Sequence, residues 1–192
     1  YYSEYAPLQR LCMQILRHEE LKYGQEEDEM YGVLIDAAWL WEEYLELVLE
    51  GIYDHYRYED TEPRYYLFKQ ILQRKNQQRI IPDYRHKFYN VVADAKYIPL
   101  NEHHSYVEEK ATAIYYKTIA YMYRFCTKLG YLFYPHPDED VEPIECEIET
   151  EQKGINGGFI IKHGLRIPSN CNSFIEFSNK MEQYEKEFLS KI

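Results

Sequence analysis

Two short segments place acids and a lysine at spacings that could bind a cation and a phosphate together. In VVADAKY, residues 91–97, Asp94 and Lys96 stand two positions apart. On a strand, side chains alternate faces with a period of two, so Asp94 and Lys96 share one face while Ala93, Ala95 and Tyr97 share the other. Upstream, Ile80, Ile81 and Pro82 run into Asp83 and read as a strand ending in a carboxylate. If the two strands pair as a hairpin, Asp83 comes beside Asp94. Two carboxylates and an ammonium at a sheet end are what a divalent cation and a phosphate oxygen require. Phosphodiester hydrolysis there would use the cation to polarise the phosphoryl group and acidify a water. Lys96 would neutralise transition-state charge, because two neighbouring carboxylates oppose the lowered pKa that a base needs. A D-x-K pattern alone occurs by chance in many strands.

A third acid comes from the element expected ahead of these strands. Residues 34–49, LIDAAWLWEEYLELVL, have helical periodicity, with Asp36, Glu43, Glu46 and Glu50 on one solvent arc. Glu42 falls instead between Ile35, Ala38, Leu45 and Leu49, where a carboxylate must be paired, protonated or bound to a cation. A small rotation of the helix, or snorkelling at the arc edge, is the plainer reading. Downstream, 106–129 reads as a long helix stopped by Gly130, with Lys110, Lys117, Arg124 and Lys128 forming a basic stripe. Such a stripe suits phosphates and any solvated helix equally. YLFYP then reads as a strand, closing a strand–helix–strand crossover with Leu132 and Phe133 buried.

The remaining segments supply scaffold. Residues 4–22 have helical spacing, and 23–30 an acidic linker. Between 52 and 78 come a Tyr/Asp/His-rich connection, a short strand or helix at 64–72, and a basic polar turn, QRKNQQR. His103 and His104 lie in a loop at 97–108 without the spacing of a helical metal site. GGFIIKHGLRIP reads as a strand and 173–188 as a terminal amphipathic helix, and these last fifty residues are expected to complete or cover the sheet. Gly157 and Gly158 belong to no nucleotide-binding loop.

The 192 residues fit one core and carry no apolar run long enough for a membrane span. The four cysteines have no close pairing, so free, mostly buried thiols in a reducing cytoplasm are expected. The 22 tyrosines read first as core and surface residues and second as a stacking platform for bases. A net charge of −11 argues against gripping a phosphate backbone over the whole surface. Charge is unevenly spread, however. From Arg64 to Lys96 eight basic residues face only Asp83 and Asp94, whereas 138–151 holds eight acids and no Lys or Arg.

Leu40-Trp41-Glu42, Pro82-Asp83, Asp94-Ala95-Lys96-Tyr97 and the Tyr116-Lys117…Tyr121 segment follow one another in an order that resembles the PD-(D/E)xK nuclease superfamily. More narrowly, they resemble the McrC family, the nuclease subunit of McrBC-type modification-dependent restriction systems, over residues 31–135. The resemblance implies an α/β fold of the restriction-endonuclease type, a central mixed sheet flanked by helices. It implies one nuclease domain over 1–192, the C-terminal part of a longer cytoplasmic protein. Glu42, Asp83 and Asp94 would hold Mg²⁺, or Mn²⁺ as a substitute, and with Lys96 would form the catalytic set. Tyr116, Lys117, Tyr121, Arg79, Arg85 and Lys87 would support the site or contact DNA. Lys117 stands where the family has glutamine, which exchanges a neutral contact for a charge. The partners implied are double-stranded modified DNA and an AAA+ GTPase of the McrB type, with no membrane. Double-strand cleavage calls for a transient dimer or for two sequential nicks. The competing class is a non-catalytic module with this fold, in which Asp83 and Asp94 only make structural ion pairs. A metal-dependent phosphatase is a further alternative.

Overall fold

The computed structural model describes residues 21–23, 30–32, 36–57, 64–98, 100, 105–137, 140–151 and 155–192. The chain divides into two compact units, Tyr1–Ala37 and Ala38–Ile192. In the first, strands β1 (Leu21–Tyr23) and β2 (Met30–Gly32) pair antiparallel with Tyr23 opposite Met30. The expected linker is therefore the connection of a strand pair. Most of the helix expected over 4–22 lies outside the described residues, and its end, Leu21–Lys22, is strand.

The larger unit is built on a mixed six-stranded sheet. Helix α1 (Ala37–Val48) leads into β3 (Tyr53–His55), and a separate hairpin of β4 (Tyr66–Lys69) and β5 (Asn76–Arg79) follows. Then come β6 (Tyr84–His86), β7 (Val92–Ala95), helix α2 (Ser105–Arg124) and β8 (Leu129–His136). The chain ends with β9 (Ile144–Glu147), β10 (Phe159–Arg166) and helix α3 (Phe174–Leu189). The strand order is β3-β6-β7-β8-β10-β9, with β7, β8 and β10 parallel and the outer strands antiparallel. The parallel strands at the centre read as apolar runs because both of their faces are covered. In β8, Leu132 and Phe133 point to opposite faces and both are fully buried.

The two faces carry distinct cores. Ala93, Phe133, Ile161 and Leu165 pack against Trp41 and Leu45 of α1 and Met181 and Phe188 of α3. Val92, Leu132, Tyr134 and Ile160 pack against Tyr121 and Met122 of α2. The last fifty residues complete and cover the sheet as expected, and the acidic run contributes its edge strand β9.

Several boundaries differ from the sequence reading. Helix α2 ends at Arg124, not at 129, and Gly130 lies inside β8. Cys126 adopts a left-handed conformation (φ 54) and the Thr127 hydroxyl bonds the Asn90 and Leu129 carbonyls, so the turn is made before the glycine is reached. Gly130 serves close packing instead, since a Cβ there would meet Thr118 Cγ2 at 3.0 Å and Met122 Sδ at 3.2 Å. The basic turn QRKNQQR is largely strand: β5 takes Asn76–Arg79 and the turn itself is 71–73. Residues 80–82 are irregular, so Asp83 precedes a strand and does not end one. The described cysteines are free, but Cys126 is exposed and Cys146 and Cys171 are half-buried, so they are not core thiols. His103 and His104 lie outside the described residues. No described helix is long and apolar enough to cross a membrane.

Candidate functional site

Register brings the two aspartates together. β6 and β7 pair with Tyr84 opposite Ala93 and Arg85 opposite Val92, which sets Asp83 across from Asp94 at the carboxyl end of β7. Asp83 Oδ2 accepts the Ala95 backbone N–H at 2.8 Å, and Lys96 Nζ lies 3.8 Å from the same oxygen. Lys96 also ion-pairs closely with Asp94 Oδ2 and donates to the Ala95 carbonyl at 2.7 Å. Lys117 Nζ, arriving from α2, stands 3.6 Å from Asp94 Oδ1 and 5.4 Å from the centre of the Tyr121 ring. Asp94 is wholly inaccessible, whereas half of the Lys117 side chain is exposed.

Burial and charge shift the two acids in opposite directions. Burial pushes the Asp83 carboxyl well above the usual carboxylate range, and the adjacent Asp94 adds to the shift. For Asp94, burial again acts upward, but Lys96 and Lys117 outweigh it and hold the group below its ordinary value. The two carboxyls are thus pushed in opposite directions, Asp83 upward and Asp94 downward, with Lys96 and Lys117 both set against Asp94.

Glu42 approaches from α1. The helix is pinned by Trp41 Nε1 donating to the Phe133 carbonyl at 3.3 Å and by the Tyr84 hydroxyl donating to the Glu42 carbonyl at 2.5 Å. The Glu42 side chain is about a third exposed and meets His55 Nε2 at 2.8 Å; His55 Nδ1 lies 3.1 Å from Glu46. Burial lowers the His55 pKa, but the two glutamates outweigh it and raise it on balance, and the ring lies between them. Arg57 binds Glu43 through two nitrogens, at 3.0 and 2.8 Å, and reaches Glu46. The arc expected to be solvated is therefore half-buried and ion-paired at Glu43 and Glu46, because the turn after α1 folds β3 back alongside the helix.

Glu42, Glu43, Arg57, Asp83 and Lys117 border a cleft of about 690 Å³ whose walls also include Tyr121, Arg79 and Leu67. The carboxylates of Glu42, Asp83 and Asp94 do not all lie within 4.8 Å of one another; among the described residues only Glu43, Glu46 and His55 do. That second group is joined to the guanidinium of Arg57, which pairs with Glu43 and Glu46. All three oxygen donors of the first group are of the hard type that Mg²⁺ prefers. Asp83 and Asp94 adjoin directly, and Glu42 faces the same cleft.

The supporting residues separate. Arg79 and Tyr121 line the cleft. Tyr116 is mostly exposed and does not line it. Arg85 lies over the Phe125 ring at 4.6 Å, on the core side of the hairpin. Lys87 faces Asp54 at 3.9 Å across the β3–β6 pair. The basic stripe of α2 is dispersed as well. Arg124 donates to the Tyr66 carbonyl at 2.7 Å, Lys128 lies beyond the helix and donates to Asn156, and the side chain of Lys110 is outside the described residues. The sequence reading missed His55 altogether. A histidine thirteen residues beyond a helical glutamate has no periodic relation to it, and only the returning strand joins them.

A family model described as McrBC 5-methylcytosine restriction system component matches residues 1–135. The matched span contains Glu42, Asp83, Asp94, Lys96 and Lys117, and ends inside β8. No curated protein matches the chain.

Proposed function

Because this chain belongs to the McrBC 5-methylcytosine restriction system component family, we propose that it is the DNA-cleaving part of such a system, a metal-dependent endonuclease of the PD-(D/E)xK type. The observation that carries this reading is the union of Asp83, Asp94 and Lys96 at the carboxyl end of a central parallel strand, where Asp83 lines a cleft that Glu42 and Lys117 also line. Clefts at the carboxyl ends of parallel strands are where α/β sheets bind ligands.

Asp83 and Asp94 would hold Mg²⁺, with Glu42 completing the set once it exchanges His55 for the ion. The bound ion would polarise the phosphoryl oxygens and acidify an attacking water. The chain's own residues supply the rest. Lys96, held against both aspartates, places a fixed positive charge where the scissile phosphate must sit. Lys117 offers a second charge that is free to turn into the cleft, in the role filled by glutamine elsewhere in the family. Tyr121, buried beneath it, sets its position. Recognition of the modified base and the driving force for translocation would come from a GTP-hydrolysing AAA+ partner, which fits a chain too acidic to hold DNA over its whole surface.

The test is cleavage of methylated plasmid by the chain with its motor partner, GTP and Mg²⁺. Asp94→Ala and Lys96→Ala are each expected to lower the rate by at least ~10²-fold, on the scale of losing a transition-state charge contact. Undiminished cutting by both variants rejects the assignment. A second reading draws on the neutralisation of Asp94 by Lys96 and Lys117: a non-catalytic domain in which the ion pairs are structural. It requires that wild type bind no Mg²⁺ and cut no DNA, and that Asp94→Ala cost about 3–5 kcal/mol of stability, as the loss of one member of a buried ion pair does.

A further inference from the structure

Hairpin β4–β5 is firmly held at its base and exposed at its tip. At the base, Ile80 N–H donates to the Tyr65 carbonyl at 2.9 Å and Arg124 Nε to the Tyr66 carbonyl at 2.7 Å. The Tyr65 ring meets Phe125 edge-on at 4.9 Å, and Leu67 packs against the α2-side core. The strands run in register to Gln70 and Lys75, and Arg74 closes the turn in the left-handed region (φ 51). At the tip, Ile71 is 89% and Leu72 95% exposed, and Phe68 beside them is 59% exposed. A rigid two-stranded arm that presents two adjacent aliphatic side chains to solvent gains nothing from them in the folded chain.

The arm also carries the opposite charge to the molecule. Between Arg64 and Arg79 the chain has five Lys or Arg and no Asp or Glu, against a net −11 overall. Lys69, Arg74 and Lys75 are exposed and form no ion pair with a described carboxylate. Gln78, Arg79 and Leu67 of the same hairpin wall the cleft that holds Asp83.

We propose that β4–β5 is a duplex-DNA-binding arm, with Lys69, Arg74 and Lys75 on backbone phosphates and Ile71-Leu72 inserted into a groove as an apolar wedge. The inference rests on the nuclease reading of the cleft, to which the arm is joined. A docked protein fits the surface less well. Two aliphatic side chains fall far short of the ~800 Å² per partner of a stable protein interface, and lysine is depleted from such interfaces. Basic flanks around an apolar tip are the pattern of groove-binding wedges, which partly unstack a base step. At ~3.3 Å per residue, Leu72 lies about 17 Å along the arm from Leu67 at the cleft wall, a reach of about five base pairs along a duplex.

The test measures binding of the full chain, carrying Asp94→Asn to prevent cutting, to a fluorescent duplex with 2-aminopurine at successive steps. Wild-type arm residues should raise 2-aminopurine fluorescence at one step. Ile71→Ser with Leu72→Ser should abolish that rise and weaken binding about tenfold, leaving the salt dependence unchanged. Replacing Lys69, Arg74 and Lys75 with Gln should lower the slope of log K against log salt by about 2.7, at ~0.9 per phosphate contact. Since the side chains are exposed, thermal melting of both variants should match the parent. Unchanged DNA binding in both variants overturns the inference, as does intact DNA binding with lost association to the motor partner. If the chain cleaves DNA while the variants bind normally, only the arm is rejected. If binding depends on the arm in a chain that cuts nothing, the arm stands and the nuclease reading falls. Absence of any DNA binding by wild type, both alone and with its motor partner, removes both.

Discussion

At the scale of single residues, the cleft is governed by how many cations serve one buried acid. Asp94 is inaccessible, and Lys96 and Lys117 are both set against its carboxyl oxygens. Lys96 is confined by two acids and a carbonyl, whereas Lys117 has one partner at 3.6 Å and half of its side chain in solvent. Lys117 is thus the less confined of the two cations. Lys117→Gln should tighten Mg²⁺ binding about tenfold in calorimetry without DNA and should weaken binding of the duplex. This figure takes one unit charge at ~5 Å in an effective dielectric near 20 and discounts it for solvent screening. Looser Mg²⁺ binding in the variant would show that Lys117 orders the aspartates and does not compete with the ion. Glu42, for its part, is held at the cleft by His55 Nε2 at 2.8 Å.

At the scale of elements, the crossover β7–α2–β8 and the strand β10 beside it position the site. Residues 128–130 and 158–159 form the tight joint that seats β8 against β10, with the Phe159 N–H donating to the Lys128 carbonyl at 2.8 Å. Gly158 has φ +117, and a Cβ there would come within 2.6 Å of the Lys128 carbonyl oxygen. Gly158→Ala is therefore both strained and overpacked, and should cost about 2 kcal/mol or more in chemical denaturation. A loss below about 0.5 kcal/mol would mean that the joint relaxes. Helix α3 begins more conventionally: Ser173 Oγ accepts the Glu176 N–H at 3.1 Å while the Glu176 side chain accepts the Asn172 N–H at 2.9 Å. This near-capping-box arrangement starts the helix where the sequence reading placed it.

At the scale of the whole molecule, stability couples to pH through the layer between β10 and α3. His163 is 2% exposed, stacked edge-on against Phe188 at 4.3 Å, and its pKa is lowered to about 4. Burial is the main cause, reinforced by Lys191 and opposed by the Phe188 backbone and Glu142. The unfolded chain binds a proton near pH 6.5 and the folded chain only near 4, so the unfolded state holds more protons between them. Stability from this residue is complete above pH 6.5 and is lost as pH falls toward 4, by about 3 kcal/mol at most. Thermal melting of wild type between pH 7 and pH 4 should fall more steeply than that of His163→Leu, and parallel curves would remove His163 as the cause.

Local pattern alone was sufficient for the elements whose burial is one-sided or complete over several turns. The apolar runs of β8 and β10, the amphipathic α3 and the shared face of Asp94 and Lys96 were legible, because alternation depends on neighbours in the chain; Asp83 does reach Asp94, but through β6 and not as the end of a strand over 80–83. Folding in three dimensions decided the rest. Nothing in the spacing marks His55 as the partner of Glu42, Lys117 as the second cation on Asp94, Arg124 as an anchor of the β4–β5 hairpin, or Ile71 and Leu72 as exposed. Each of these depends on which distant surfaces meet once the sheet closes, and long-range pairing is set by the packing of whole layers, which periodicity along the chain does not encode.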